Sequence, residues 1–230
     1  MAITLFALVL GILPSFAWLF LFLKEDIHPE PKKLLALTFL MGLIAALFAL
    51  FIEYGLAKTV KILDIESYGV LPLLIMAAIE EVIKFLCVFM LIKNSSHFDE
   101  PIDAMIYLVT AALGFAAFEN LAIVLNLAFS PYHDLIFNQI AATTIFRFIG
   151  ATLLHGLCSA AVGYWWAMGI LRHQARKFIF NGLIIATLLH TFFNYLILSF
   201  KDTIIYPIIF LSIIAFFVFL NFDQLRRKNL

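Results

Sequence analysis

Seven polar side chains lie inside apolar runs of this chain, and their types point to hydrolytic chemistry. They are Glu80, Glu81 and Lys84 in "AAIEEVIKFLCVFML", Glu119 in "GFAAFENLAIVL", His155 in "TLLHGLCS", and His190 and Asn194 in "LLHTFFNYL". Two imidazoles and a carboxylate from different segments can supply three ligands to Zn²⁺, which leaves a fourth position for water. A further carboxylate can then act as general base. The pattern predicts metal-dependent hydrolysis.

Each of these residues has an expected role. Glu119, His155 and His190 are the predicted metal ligands, and Glu80 or Glu81 is the predicted base that takes a proton from the attacking water. Neighbouring helical residues point in different directions, so only one of the two glutamates is expected to face the site. Lys84 lies within reach of either glutamate as its counter-ion. Asn194, one turn after His190, is expected to orient an imidazole or to donate to a developing oxyanion.

The composition places these residues in a membrane. The chain has 230 residues, of which 64% are hydrophobic and 13% are charged, and its mean hydropathy is +1.06. A soluble domain is about half apolar and about one quarter charged. We therefore expect an integral membrane protein whose main partner is the lipid bilayer and which does not bind nucleic acid. Cys87 and Cys158 lack metal-ligand spacing, which argues against a disulfide framework.

Charge clusters and turn residues divide the chain into apolar segments long enough to cross a bilayer as helices. The predicted spans are 2–23, 34–56, 69–92, 103–129, 140–170, 178–199 and 204–222. The fold class is thus an all-α transmembrane bundle of about seven helices in a single domain, 1–230, with a catalytic core at 69–199. Ten Lys and Arg residues fall on one side and three on the other, which predicts an external N-terminus and a cytoplasmic C-terminus.

The polar residues are expected to meet at one depth. Glu80, Glu119 and His190 each lie about ten residues from the outer end of their span, roughly 15 Å down at the helical rise, and His155 lies about 20 Å down. Charged residues at this depth are costly and usually face the bundle interior or a watery cavity. The four spans from the third to the sixth therefore predict one intramembrane site.

These residues resemble the ordered motifs of the PrsW family of intramembrane proteases. "EEVIK", "FAAFE", His155 and "HTFFN" follow in the family's order, and "EDIHPEPKK" is similar to its acidic first loop. The resemblance implies a relative of the type II CAAX prenyl endopeptidases. Lys84 stands one position earlier than the Arg of their EExxxR motif, and Glu119 replaces the His of their FxxxH motif, which favours PrsW.

The resemblance also implies a substrate and a location. PrsW proteins are implicated in site-1 cleavage of membrane-bound anti-sigma factors, so the resemblance implies a single-pass membrane protein as partner, with an anti-sigma factor as the example. The expected location is the cytoplasmic membrane of a bacterium or archaeon. The expected activity is that of an intramembrane endopeptidase with a divalent metal, Zn²⁺ being the first choice.

Other interpretations of the same residues stay open at this point. Buried Glu, His and Lys also serve proton relays, so a proton-coupled carrier or a non-enzymatic scaffold would use the same set. Cys158, three residues after His155, is a conceivable nucleophile, although a small buried thiol is the simpler interpretation. Arg147 either snorkels, pairs with Asp134 or contacts substrate.

Overall fold

The computed structural model describes residues 2–62, 69–129, 136–200 and 203–227, and Asp134 lies outside these ranges. The structure is 88% helical and shows no strands within the described ranges. The helices are α1 (Ala2–Phe22), α2 (Lys32–Ile62), α3 (Val70–Ile92), α4 (Asp103–Ala128), α5 (Ile136–Arg147), α6 (Leu153–Leu171), α7 (Ala175–Ser199) and α8 (Ile205–Arg226). The all-α prediction is confirmed.

The predicted spans correspond to long helices. Six helical stretches of the described chain are long and apolar enough to cross a membrane. They are α1 with the turn that follows it, α2, α4, the continuous stretch Phe137–Leu171, α7 and α8. α3 is not among these six; it has 23 residues and contains the charged residues Glu80, Glu81 and Lys84. The chain is thus a multi-pass membrane protein, while the count of seven spans and the orientation of the termini stay predictions.

α4 is the central helix of the bundle. Residues 103–117 are all buried, as expected for a helix that is apolar around its whole circumference. α4 packs against α1, α2 and α6. It touches α2 most closely at two glycines, because a Cβ on Gly42 would lie 1.9 Å from Ala111 O and one on Gly114 would lie 2.1 Å from Phe39 O. Small residues of this kind let membrane helices approach backbone to backbone.

The predicted fifth span, 140–170, lies within one helical stretch, Phe137–Leu171, whose α-helical hydrogen-bond pattern changes part of the way along. A π-helical turn, Phe148–Thr152, joins α5 to α6. A π-turn shifts the hydrogen-bond register of a helix and often marks a functional site. The carbonyl of Phe148 accepts a hydrogen bond from the indole of Trp18 in α1 at 2.7 Å. The turn separates Arg147 from His155, so it sets how these two residues are placed relative to each other.

The loop between α1 and α2 is tied to α4 by acidic side chains. The Asp26 carboxylate accepts hydrogen bonds from the backbone N–H groups of His28, at 3.1 Å, and Glu30, at 3.3 Å. The Tyr107 hydroxyl of α4 donates to Glu30. Burial raises the pKa of Asp26 and the pKa of Glu30 above the ordinary carboxyl range. These hydrogen bonds hold the loop against α4, while burial makes ionisation of its two carboxyl groups less favourable than in water.

Candidate active site

Three side chains from three helices converge in the interior of the bundle. Glu80 comes from α3, His155 from α6 and His190 from α7, and one ligand atom of each lies within 4.8 Å of the other two. Glu80 Oε2 is 3.8 Å from Nδ1 of His155 and 3.8 Å from Nε2 of His190. The two imidazole rings meet edge to face, with centroids 5.0 Å apart. All three residues are buried, so the group is shielded from lipid.

Glu81 is held on the other side of His190. Its Oε1 accepts a hydrogen bond from Lys84 Nζ at 2.6 Å and lies 2.9 Å from Nδ1 of His190. Both charged side chains of the Glu81–Lys84 pair are fully buried. A carboxylate on Nδ1 fixes the orientation of an imidazole and turns its Nε2 toward the site. Glu81 is therefore a positioning residue for His190, whereas Glu80 faces the nitrogens of both histidines.

A second carboxylate contacts His155 from its far side. Glu119 Oε2 lies 3.0 Å from Nε2 of His155 and accepts a hydrogen bond from Arg147 at 2.9 Å. Arg147 also donates to Asn120, and Asn120 donates to the hydroxyl of Thr152 at 3.0 Å. The polar residues on both sides of the π-turn are thus linked to Glu119. Arg147 is a partner of this carboxylate.

Glu53 of α2 belongs to the same neighbourhood, although the sequence analysis gave it no role. Its carboxyl group is near enough to Glu80 to act on it electrostatically, and its Oε1 is buried without a hydrogen-bond partner. Glu53, Glu119 and Arg147 together line a cavity of about 250 Å³ between α2 and α4. The only sequence signal was a charge within an apolar run near the end of the second span. That position is equally typical of a residue at the membrane boundary.

The structure groups the predicted site residues but divides them differently. Glu80 lies with both histidines, while Glu119 is not among the three side chains whose ligand atoms all lie within 4.8 Å. The assignment of Glu119 as third metal ligand and of Glu80 or Glu81 as base stays a prediction. Asn194, one turn after His190, lines a separate cavity of about 430 Å³. Cys158 is a buried free thiol.

The convergent group suits a divalent metal ion by its chemistry. One carboxylate and two imidazoles are a ligand set found in catalytic zinc sites. Glu80 Oε2 is buried and has no hydrogen-bond partner, and a buried carboxylate oxygen of this kind requires either a proton donor or a cation. The donor set and this unpaired oxygen fit a divalent metal ion, while Nδ1 of His155, the nitrogen that faces Glu80, also lies 3.0 Å from Lys84 Nζ.

Comparison with known proteins points in the same direction. Residues 30–221 match the family described as "PrsW family intramembrane metalloprotease". The match includes every residue of the convergent group and of its surroundings, from Glu53 to Asn194. It also begins at Glu30, within the acidic loop.

Curated relatives match nearly the whole chain. "Protease PrsW" of Bacillus subtilis (strain 168) is 23% identical over 229 residues, covering 96% of this chain and 95% of its own. "Protease PrsW" of Geobacillus kaustophilus (strain HTA426) is 26% identical over 191 residues, covering 82% and 78%. "Protease PrsW" of Clostridioides difficile (strain 630) is 25% identical over 224 residues, covering 95% and 90%. Among solved structures there is no match.

Proposed function

Because this chain belongs to the PrsW family of intramembrane metalloproteases, we propose that it hydrolyses a peptide bond of a membrane-anchored protein at the Glu80–His155–His190 group. The family and its curated relatives support an intramembrane protease. One observation carries the finer proposal: Glu80 Oε2 lies 3.8 Å from a nitrogen of each histidine.

We propose that Glu80, His155 and His190 hold a divalent metal ion, with Zn²⁺ the first choice. Such an ion supplies Lewis acidity, which makes water a nucleophile near neutral pH and polarises a carbonyl group. The protein's part is to keep three donors in place within an apolar bundle. Glu81 does so for His190 through Nδ1, and Lys84 neutralises Glu81.

A proton acceptor is also needed, and two carboxylates are candidates. If Glu80 is a ligand, Glu119 is the remaining carboxylate beside His155, and its Oε2 is held by Arg147 at 2.9 Å. If Glu119 is the ligand instead, as the sequence predicts, Glu80 or Glu81 is the base. The two assignments differ in a measurable way, because a ligand variant loses metal whereas a base variant keeps metal and loses cleavage.

The proposed substrate is a single-pass membrane protein, and an anti-sigma factor cleaved at site 1 is the example that the family resemblance suggests. A peptide bond is favoured over the prenylated C-terminus cut by type II CAAX endopeptidases, because Lys84 and Glu119 depart from the motifs of those enzymes. We place the protein in the cytoplasmic membrane of a bacterium or archaeon, with its N-terminus outside. The family assignment disfavours a carrier or a scaffold.

The test is cleavage of a single-pass protein by purified enzyme in liposomes. Glu80→Gln, Glu81→Gln and His190→Ala should each abolish cleavage while helical content, measured by circular dichroism, stays that of the wild type. A control variant, Phe51→Leu, changes a side chain that is 78% exposed on α2 and should cleave normally. Wild-type activity in all three site variants would end the proposal.

A further inference from the structure

A cavity of about 430 Å³ lies between three helices of the bundle, α2, α3 and α7. It is lined by residues of the same helices that carry Glu53, Glu80 and His190. Its lining includes Leu56 and Ala57 from α2, Leu73 and Met76 from α3, and Asn194 and Ile197 from α7. Its volume falls within the range of roughly 300–1,000 Å³ that is typical of binding pockets. We refer to it below as the α2–α3–α7 cavity.

The spacing along each helix places this cavity about one turn from the site. Ala57 follows Glu53 by four residues, Met76 precedes Glu80 by four, and Asn194 follows His190 by four. Residues four apart lie on the same face of a helix, one above the other. In α2 and α7 the cavity residue follows the site residue along the chain, whereas in α3 it precedes the site residue, as expected if α3 runs antiparallel to α2 and α7. All three helices therefore turn the same face toward the site and toward the cavity.

The chemistry of the lining suits one kind of occupant. Among the described residues that line the cavity, Asn194 has the one polar side chain, and the others are Leu, Ala, Val, Pro, Met and Ile. An apolar wall accepts an aliphatic or aromatic side chain, while the Asn194 amide can both donate to and accept from a peptide backbone. A substrate segment that is extended for cleavage loses its helical hydrogen bonds and needs such partners at membrane depth.

We propose that the α2–α3–α7 cavity is a specificity pocket that receives one large apolar side chain of the substrate, close to the cleaved bond, with Asn194 holding the adjoining backbone. This inference rests on the proposed protease function. It adds that the enzyme selects substrates by the size of one residue, and that Ala57 and Met76 set that size.

The test uses single-span proteins whose residues around the cleaved bond are varied among Ala, Leu and Phe, with cleavage sites mapped by mass spectrometry. The measured quantity is the ratio of kcat/KM for Phe to that for Ala at each position. Ala57→Leu places three more carbon atoms in the cavity and should lower this ratio about tenfold at one position only. Met76→Ala enlarges the cavity and should raise the ratio at the same position.

Gly55→Leu is the matched control, because it lies two residues away on α2 and a Cβ there meets nothing within 4 Å. It should leave the ratio at every position unchanged. If Ala57→Leu and Met76→Ala both retain the wild-type ratio in active enzyme, the pocket assignment is overturned and the protease function stands. If the wild type cleaves none of the test proteins, the proposed function is overturned and the pocket with it.

Discussion

The buried pair between Glu81 and Lys84 provides a quantitative test of how the site is held. Both side chains have no exposed surface, and Lys84 Nζ lies 2.6 Å from Glu81 Oε1. At an effective dielectric constant of about 20, two unit charges at this separation attract by about 6 kcal/mol. Most of this offsets the cost of removing the charges from water, so the intact pair adds little net stability.

Replacing only one residue of the pair is expected to be costly, because the other charge then stays buried without its partner. Losing one partner of a buried pair typically costs about 3–5 kcal/mol. We expect Glu81→Gln to lower the free energy of unfolding by about 3 kcal/mol, the lower end, because Glu80 also acts electrostatically on Lys84. Lys84→Met should be destabilising by a similar amount, because it leaves Glu81 with only His190.

The double variant Glu81→Gln/Lys84→Met separates the pair from its surroundings. It removes both charges of the pair, so it should recover at least about 2 kcal/mol relative to the sum of the two single losses. The assay is detergent-induced unfolding of the purified protein, followed by tryptophan fluorescence. If each single variant lies within about 0.5 kcal/mol of the wild type, or if the two losses simply add, the pair does not hold the site as described.

Three further predictions follow from other parts of the molecule. Gly114→Ala and Gly42→Ala should each destabilise the α2–α4 contact by about 1–3 kcal/mol, because the added carbon would meet backbone atoms at 2.1 Å and 1.9 Å; Gly55→Ala is the control, and equal unfolding curves for all three would contradict the close packing. Arg147→Gln should reduce cleavage while metal stoichiometry stays that of the wild type, since Arg147 contacts Glu119 and none of Glu80, His155 and His190; loss of metal would contradict this. Burial raises the pKa of Asp26 in the folded state, so its contribution to stability is complete below the unfolded carboxyl pKa of about 4 and declines as pH rises through the folded pKa. Asp26→Asn should flatten the curve of unfolding midpoint against pH in this range. An unchanged curve would contradict the prediction.

Much of the bundle can be predicted from the sequence because membrane helices are long and apolar. The bounds predicted for the third span, 69–92, agree closely with those of the helix α3, Val70–Ile92, although α3 is not among the six described helices that are long and apolar enough to cross a membrane. The end of the second span is less well placed, since α2 continues to Ile62 and not to residue 56. Helical hydrogen bonding does not stop where the apolar run stops, and polar residues such as Lys58 and Lys61 can extend a helix beyond the bilayer core.

The pairing of Glu81 with Lys84 could be anticipated from their spacing, because residues three apart share a helix face. Whether Glu80 or Glu119 joins the two histidines could not be predicted in this way. It depends on the rotation of α3 and α4 about their axes, which is fixed by packing such as the contact of Gly114 with α2. The spacing of residues within one helix does not show how a neighbouring helix is rotated about its axis.

The π-turn and Glu53 escaped prediction for related reasons. Nothing in "FRFIGATLLH" distinguishes a π-turn from continuous α-helix, since the extra residue is accommodated by contacts from elsewhere, including the indole of Trp18. Glu53 is separated from Glu80 by 27 positions, and the two meet only because α2 and α3 pack side by side. Both features depend on contacts between distant parts of the chain.

We propose that Glu80, His155 and His190 hold a metal ion with which the protein cleaves peptide bonds. The most direct measurement is the metal content per chain, by elemental analysis, of the wild type, His155→Ala, Glu80→Gln and Glu119→Gln, with cleavage of one single-pass protein measured on the same samples. We predict about one divalent ion per wild-type chain, its loss in His155→Ala and Glu80→Gln, and metal without cleavage in Glu119→Gln. An active wild type without stoichiometric metal, or a Glu80→Gln variant that retains the ion, would contradict the account.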